Sequence, residues 1–135
     1  MVLVIDASVA VKWFVREEGR DAALEILASL LKDPRKYAAP ELFFFEVMHV
    51  FHRLIPDPSE EQKNLLLGLT SFGLERVFMT PELGETIREF QSLGLSGYDG
   101  AYAAVAKHAK GKWLTFDEEA HAKISSLGVS EFLGR

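Results

Sequence analysis

Two short stretches decide the fold: Val2-Leu3-Val4-Ile5-Asp6 and Lys112-Trp113-Leu114-Thr115-Phe116-Asp117. Residues 2–5 form an apolar, β-branched run of strand length, and residues 112–116 read the same way. Each run closes on an aspartate. Working outward from the first, residues 7–15 read as a helix that ends at the charged turn Arg16-Glu17-Glu18-Gly19. From 20 to about 31, Ala, Leu, Ile and Glu recur at helical spacing, and Pro34 closes the segment. Residues 37–39 are a short apolar patch suited to a second strand. Pro40 suits the first turn of a helix and Glu41 its positive end. That helix is expected to run to about residue 55, where Pro56-Asp57-Pro58 stops it. Ser59 and Gln62 form a capping-box pattern for another helix ending near Phe72-Gly73. Residues 76–79 are a candidate strand, and Thr80-Pro81 opens a helix reaching about residue 93.

Working back from the second stretch, Ser96 is placed to cap an alanine-rich helix running to about residue 109. Beyond the stretch come a helix over 118–127 and a last edge strand over 129–133. Short strands alternating with longer helices imply βα units on a parallel sheet with helices on both faces. The expectation is an α/β chain: a three-layer α/β/α sandwich around a short central parallel sheet, with residues 1–135 as a single domain.

Composition narrows the chemistry. At 135 residues a core can form without staples. An apolar share of 48% and a charged share of 26% are those of a soluble globular protein. The chain has no cysteine, which excludes disulfides, thiolate metal sites and cysteine nucleophiles. That suits a reducing cytosol. No basic leader precedes Asp6, and no apolar stretch approaches membrane-span length, so a cytoplasmic protein without membrane attachment is expected. A formal net charge of −5 argues against passive binding of nucleic acid through a broad basic surface. It is compatible with an enzyme that holds divalent cations between its acids and a nucleic acid.

Parallel sheets place ligand sites beyond the carboxyl ends of their strands. Asp6 and Asp117 would both stand at that edge. Either could instead simply cap the helix that follows, but two such strands in one sheet point both carboxylates toward one crevice. Asp99 falls in the first turn of the helix opened by Ser96, where an acid is stabilised by the helix dipole; that turn also leads into the strand ending at Asp117. Glu46 shares one side of its helix with His49 and Arg53, which is equally the pattern of a solvent face. Gathered carboxylates repel one another, and burial makes this worse, so such a cluster stays ionised only with a cation. Oxygen donors without cysteine or histidine select Mg²⁺ or Mn²⁺. The chemistry that follows is phosphodiester hydrolysis by metal-activated water, without a covalent intermediate.

At this point a family resemblance enters. Val4-Ile5-Asp6-Ala7-Ser8, Pro40-Glu41-Leu42 followed by Glu46-Val47, Leu95-Ser96-Gly97-Tyr98-Asp99-Gly100-Ala101-Tyr102, and Leu114-Thr115-Phe116-Asp117 together resemble a PIN domain, more narrowly the VapC-type toxins of prokaryotic toxin–antitoxin pairs. The motifs fall in family order along nearly the whole chain. The resemblance implies a strand order that brings Asp6, Glu46, Asp99 and Asp117 to one metal-binding pocket. It implies Mg²⁺- or Mn²⁺-dependent endoribonuclease activity on RNA, with Ser8 and Thr115 hydrogen bonding near the site. It also implies a homodimer and a small antitoxin that wraps the toxin and blocks the site. His49, where the family often has asparagine, and Gly100, where it often has alanine, depart from the pattern without removing a carboxylate.

Other features carry less. Glu46-x-x-His49-x-x-His52 drifts around its helix and lacks a fourth ligand, so its histidines read as surface or interface residues. His108 and His121 read as solvated. Lys12, Trp13 and Arg16 are candidates for RNA contact, with a packed tryptophan and a snorkelling lysine as the alternative. Phe43-Phe44-Phe45 cannot all face one core from a helix: either the helix lies between two apolar layers, or part of this face meets another chain, a dimer mate or an antitoxin helix, and the interface is the favoured reading. No phosphate-binding glycine loop or serine-hydrolase elbow is present. Two other functions remain open: a PIN-like module that binds protein or RNA without catalysis, and a phosphoacceptor receiver domain, though Asp6 lacks the paired acid a receiver carries.

Overall fold

The computed structural model describes residues 1–134. Five strands form one parallel sheet: β1 (Leu3–Ile5), β2 (Tyr37–Pro40), β3 (Glu75–Val77), β4 (Lys112–Thr115) and β5 (Ser130–Phe132), in the order β3-β2-β1-β4-β5. Val4 lies opposite Ala38 on one side and Trp113 on the other. The helices between them are α1 (Ala7–Ala10), α2 (Arg20–Lys32), α3 (Leu42–Leu54), α4 (Glu60–Gly68), α5 (Pro81–Ser92), α6 (Gly97–His108) and α7 (Glu118–Ile124). The chain steps outward from β1 to β3, then returns to place β4 on the other side of β1. Right-handed crossovers therefore put α1–α4 on one face and α5–α7 on the other, giving the expected three layers.

Strand order decides where function can sit. Direction reverses between β1 and β4, and a crevice opens beyond the carboxyl ends of the strands at such a switch point. Asp6 follows β1, and Asp117 follows β4 after one residue. The same order disposes of the receiver alternative, whose sheet runs 2-1-3-4-5.

The core gathers on the sheet. Ile5, Tyr37, Phe43, Tyr102 and Trp113 are among its largest fully buried side chains. Helix α6 buries the unbroken run Gly100 to Ala106, and these small residues let it lie close on β1, β2 and β4. At its end Gly111 passes tightly over the sheet: a Cβ there would stand 1.9 Å from the Val2 carbonyl oxygen.

Several boundaries differ from the sequence reading. The first helix is one turn, followed by a 3-10 turn over Val11–Trp13. Arg20 ends it by donating from Nε to the Lys12 carbonyl at 3.1 Å and from Nη2 to the Trp13 carbonyl. Pro40 belongs to β2, opposite Val77, and not to the helix. The Glu41 amide donates to the Val77 carbonyl, and its carboxylate pairs with Arg76 instead of capping. The capping box of Ser59 and Gln62 forms as expected, but α4 gives way early to a 3-10 turn over Leu69–Ser71. Helix α7 is likewise shorter, yielding to Ser125–Leu127 before Gly128 at φ 70°.

Trp13 is buried, and its Nε1 donates to the Ala23 carbonyl at 2.8 Å, so it is a packed tryptophan and no RNA contact. Lys12 Nζ bonds Glu17 and the Glu18 carbonyl over the Phe116 ring. Neither His108 nor His121 is merely solvated: His108 Nε2 lies 2.7 Å from Thr86 Oγ1, and His121 Nδ1 lies 2.7 Å from Ser130 Oγ.

Candidate metal centre

Each of the four acids is delivered by a different piece of the fold. Asp6 leaves β1 in extended backbone and caps α1. Its Oδ1 accepts from the Ser8 amide at 3.0 Å, the Ser8 hydroxyl at 2.5 Å and the Val9 amide at 3.3 Å. Its Oδ2 accepts from the Trp113 indole at 2.9 Å. Only 5% of the residue is exposed. Burial pushes its carboxyl above the usual range, against the hydrogen bonds from Ser8, Thr115, Trp113 and Val9.

Glu46 stands on the second turn of α3, half-buried, with Oε1 accepting from the Tyr102 hydroxyl at 2.6 Å. Its carboxyl is raised chiefly by burial, with a further push from the Asp6 charge. The Tyr102 bond and, more weakly, His49 oppose that. Asp99 occupies the first turn of α6, capped by Ser96, whose oxygen accepts from the Asp99 amide at 3.0 Å. Its carboxyl is pushed up from 3.8 to about 6, first by burial and then by the negative charges of Asp117, Asp6 and Glu46. Asp117 is exposed at the mouth of the crevice and caps α7, accepting from the Ala120 amide at 3.0 Å.

The structure thus brings all four predicted acids into one field, and the charges acting on Asp99 are all negative. They do not close on a point: among the described residues, no three His, Cys, Asp or Glu side chains are near enough to enclose one metal ion. The donor set nonetheless fits a hard dication. It offers only carboxylate oxygens, and it leaves an excess of negative charge that a small cation would relieve.

Ser8 and Thr115 lie where they were expected. The Ser8 hydroxyl donates to Asp6 and accepts from the Phe116 amide at 3.0 Å, tying α1 to the end of β4. Thr115 Oγ1 accepts from the Asp117 amide at 3.0 Å and stands 3.5 Å from Ser8 Oγ. Sequence reasoning missed Tyr102 and Trp113. Their rings stack with centroids 5.9 Å apart, and each donates to one of the acids. Buried tyrosine and tryptophan signal a need for a hydrogen-bond partner, but not which partner they find.

The comparisons agree with this fold. Crystal structures of similar fold include FitAcB from Neisseria gonorrhoeae, at TM-score 0.68 and 16% identity, covering 97% of this chain and 96% of that one. VapC20 from Mycobacterium tuberculosis, described as a sarcin-ricin loop cleaving toxin, aligns at TM-score 0.67 and 16% identity over 89% and 93%. VapBC2 from Rickettsia felis, bound to a promoter DNA fragment, aligns at 0.66 and 17% over 98% and 98%. At these identities the likeness is one of fold. Comparison with curated protein sequences gives no match. The model of the PIN domain matches residues 3–126, a span that holds the whole switch-point crevice from Asp6 to Asp117. On that match and that architecture, this chain belongs to the PIN domain family.

Proposed function

We propose that this chain is a single-domain, divalent metal-dependent endoribonuclease and the toxin of a VapBC-type toxin–antitoxin pair. One observation carries the reading: carboxylates from four separate elements face one crevice at the switch point, where burial first and then the charges of the other three raise Asp99 to about 6. A fold gains nothing in stability from such mutual repulsion, so the cluster is best explained by a cation it serves.

Asp6, Glu46, Asp99 and Asp117 would hold Mg²⁺ or Mn²⁺. The chemistry such an ion supplies is a more acidic bound water and relief of charge on a phosphodiester. Asp6, held from both oxygens and nearly closed off from solvent, provides the fixed inner ligand. Exposed Asp117 faces the side from which an RNA phosphate arrives. Ser8 and Thr115 keep Asp6 and Asp117 in register by their hydroxyls.

The wider proposal includes a homodimer, a small antitoxin and a cytoplasmic setting. Its support is the toxin–antitoxin complexes among the structures of similar fold and the exposed apolar side chains of the protein. Phe45 is 70% and Tyr98 66% exposed, with Met48, Phe78 and Met79 also exposed. An apolar groove of about 390 Å³ runs between Pro40, Leu42, Val77, Met79, Leu83 and Tyr98. Phe43 and Phe44 are buried while Phe45 is exposed, so the three phenylalanines divide between core and surface. Among the described residues no helix is long and apolar enough to cross a membrane.

The test is cleavage of RNA by purified protein in Mg²⁺ or Mn²⁺, repeated in EDTA and with Asp6→Asn. Cleavage that survives either change would sink the reading. A second reading, a catalytically silent binding module, is favoured by the separation of the acids. It is supported if the chain binds neither cation.

A further inference from the structure

Two of the four acids are held by side chains that have no other polar work. The Tyr102 hydroxyl donates to Glu46 Oε1, and the Trp113 indole donates to Asp6 Oδ2. Tyr102 comes from α6, Trp113 from β4, Glu46 from α3 and Asp6 from the end of β1, so four elements meet in two hydrogen bonds. The two rings lie 13° from parallel and are both almost wholly buried. Neither carboxylate can shift without disturbing a ring, and neither ring can shift without disturbing the other.

A contrast within the same molecule shows that this pairing is not the default. Trp13 is also buried, and it meets its need for a partner with the backbone carbonyl of Ala23. A carbonyl satisfies an indole without bringing a charge into the interior. Trp113 and Tyr102 instead donate to carboxylates, and Asp6 is itself buried. For stability alone that is a poor exchange.

The bonds also decide which oxygens remain. Asp6 Oδ1 takes the Ser8 amide, the Ser8 hydroxyl and the Val9 amide, which crowds it, while Oδ2 takes the indole. A carboxylate oxygen offers about two lone-pair directions. The indole therefore occupies one direction on Oδ2 and limits how that oxygen can face a cation.

We propose that the stacked Tyr102–Trp113 pair is the positioning element of the metal centre, aiming Asp6 and Glu46 at a shared divalent cation. Both are positioning residues that act through the acids they touch. This rests on the metal-dependent function proposed above, and the experiment separates the two.

The indole N–H signals of Trp13 and Trp113 are followed by ¹⁵N NMR during Mg²⁺ titration of the wild-type chain, with loss of one signal in Trp113→Phe giving the assignment. The Trp113 signal is expected to move with a midpoint that matches calorimetric Mg²⁺ affinity, and the Trp13 signal to stay in place. Tyr102→Phe keeps the ring and loses only the hydroxyl. It and Trp113→Phe are each expected to weaken Mg²⁺ binding about 10- to 100-fold, the range found when a ligand's supporting partner is removed. The double variant should lose less than the product of the two, because one stack couples them. Should Trp113→Phe fold poorly, Trp13→Phe assigns the remaining indole signal to Trp113, and Tyr102→Phe with the wild-type titration suffices. Mg²⁺ affinity unchanged in Tyr102→Phe, or a Trp113 signal indifferent to Mg²⁺ that the protein demonstrably binds, overturns this inference alone. A wild-type chain that binds no divalent cation overturns it together with the proposed function.

Discussion

Asp99→Asn is expected to stabilise the metal-free protein at neutral pH while abolishing its function. The folded chain holds this carboxyl at about 6 against an ordinary 3.8. At about 1.4 kcal/mol per pH unit, that corresponds to at most about 3 kcal/mol of folded-state cost when the group is ionised. Asp99 is only half-buried, so solvent screening reduces the figure to about 1–2 kcal/mol. Against this, the charge in the first turn of α6 contributes about 0.5 kcal/mol through the helix dipole. The net gain on neutralisation is about 1 kcal/mol, or roughly 3–5 °C in melting temperature for a chain of this size.

The sign with pH follows from linkage. Between about 4 and 6 the folded chain binds more protons than the unfolded one, so stability falls as pH rises through that window, and the full cost stands above it. Burial raises Asp6 and Glu46 as well, in the same direction. In EDTA the wild-type protein should therefore melt higher at pH 5 than at pH 7.5. Asp99→Asn should close part of that difference. Mg²⁺ should restore the wild-type protein at pH 7.5 and help the variant less. A variant that melts below wild type at pH 7.5, or a wild-type chain that loses stability steadily from pH 7.5 to pH 5, would refute the argument.

Ser8→Ala removes a donor to Asp6 and the acceptor of the Phe116 amide. A loss of about 1–3 kcal/mol in urea unfolding is expected, with RNA cleavage down about 10- to 100-fold. Gly111→Ala would drive a Cβ to 1.9 Å from the Val2 carbonyl. Denaturant titration should show a loss above about 3 kcal/mol or no folded protein at all. Trp13→Phe loses one buried hydrogen bond. It should lower stability by about 1 kcal/mol and leave RNA affinity, measured by gel shift, unchanged.

Much of this architecture can be read from the chain before any coordinates. The alternation of apolar runs with helical spacing carries the parallel sheet, and Asp6 and Asp117 are visible because each terminates a strand. Glu46 and Asp99 are different. Their own segments offer a solvent face and a capping position, and only their order beside the other motifs singles them out. Their meeting depends on β4 lying beside β1, which no local pattern encodes. For the same reason Tyr102 and Trp113 are invisible as partners of the acids: each bond joins residues tens of positions apart. Pro40 shows the opposite failure. Local preference assigns it to a helix start, but pairing with β3 holds it in a strand. His108 and His121, polar in sequence context, find hydroxyls only because α5 and β5 pack against their helices.

The bond between the first acid and the indole 107 positions later has a bearing on biosynthesis. Asp6 leaves a ribosome 107 residues before Trp113, with Thr115 and Asp117 later still. A nascent chain cannot seat β4 beside β1 until β4 itself has been made. A fragment that ends between Asp99 and β4 holds three of the acids but not the strand that unites them. The proposed metal centre is thus assembled only once β4 has been made and seated beside β1.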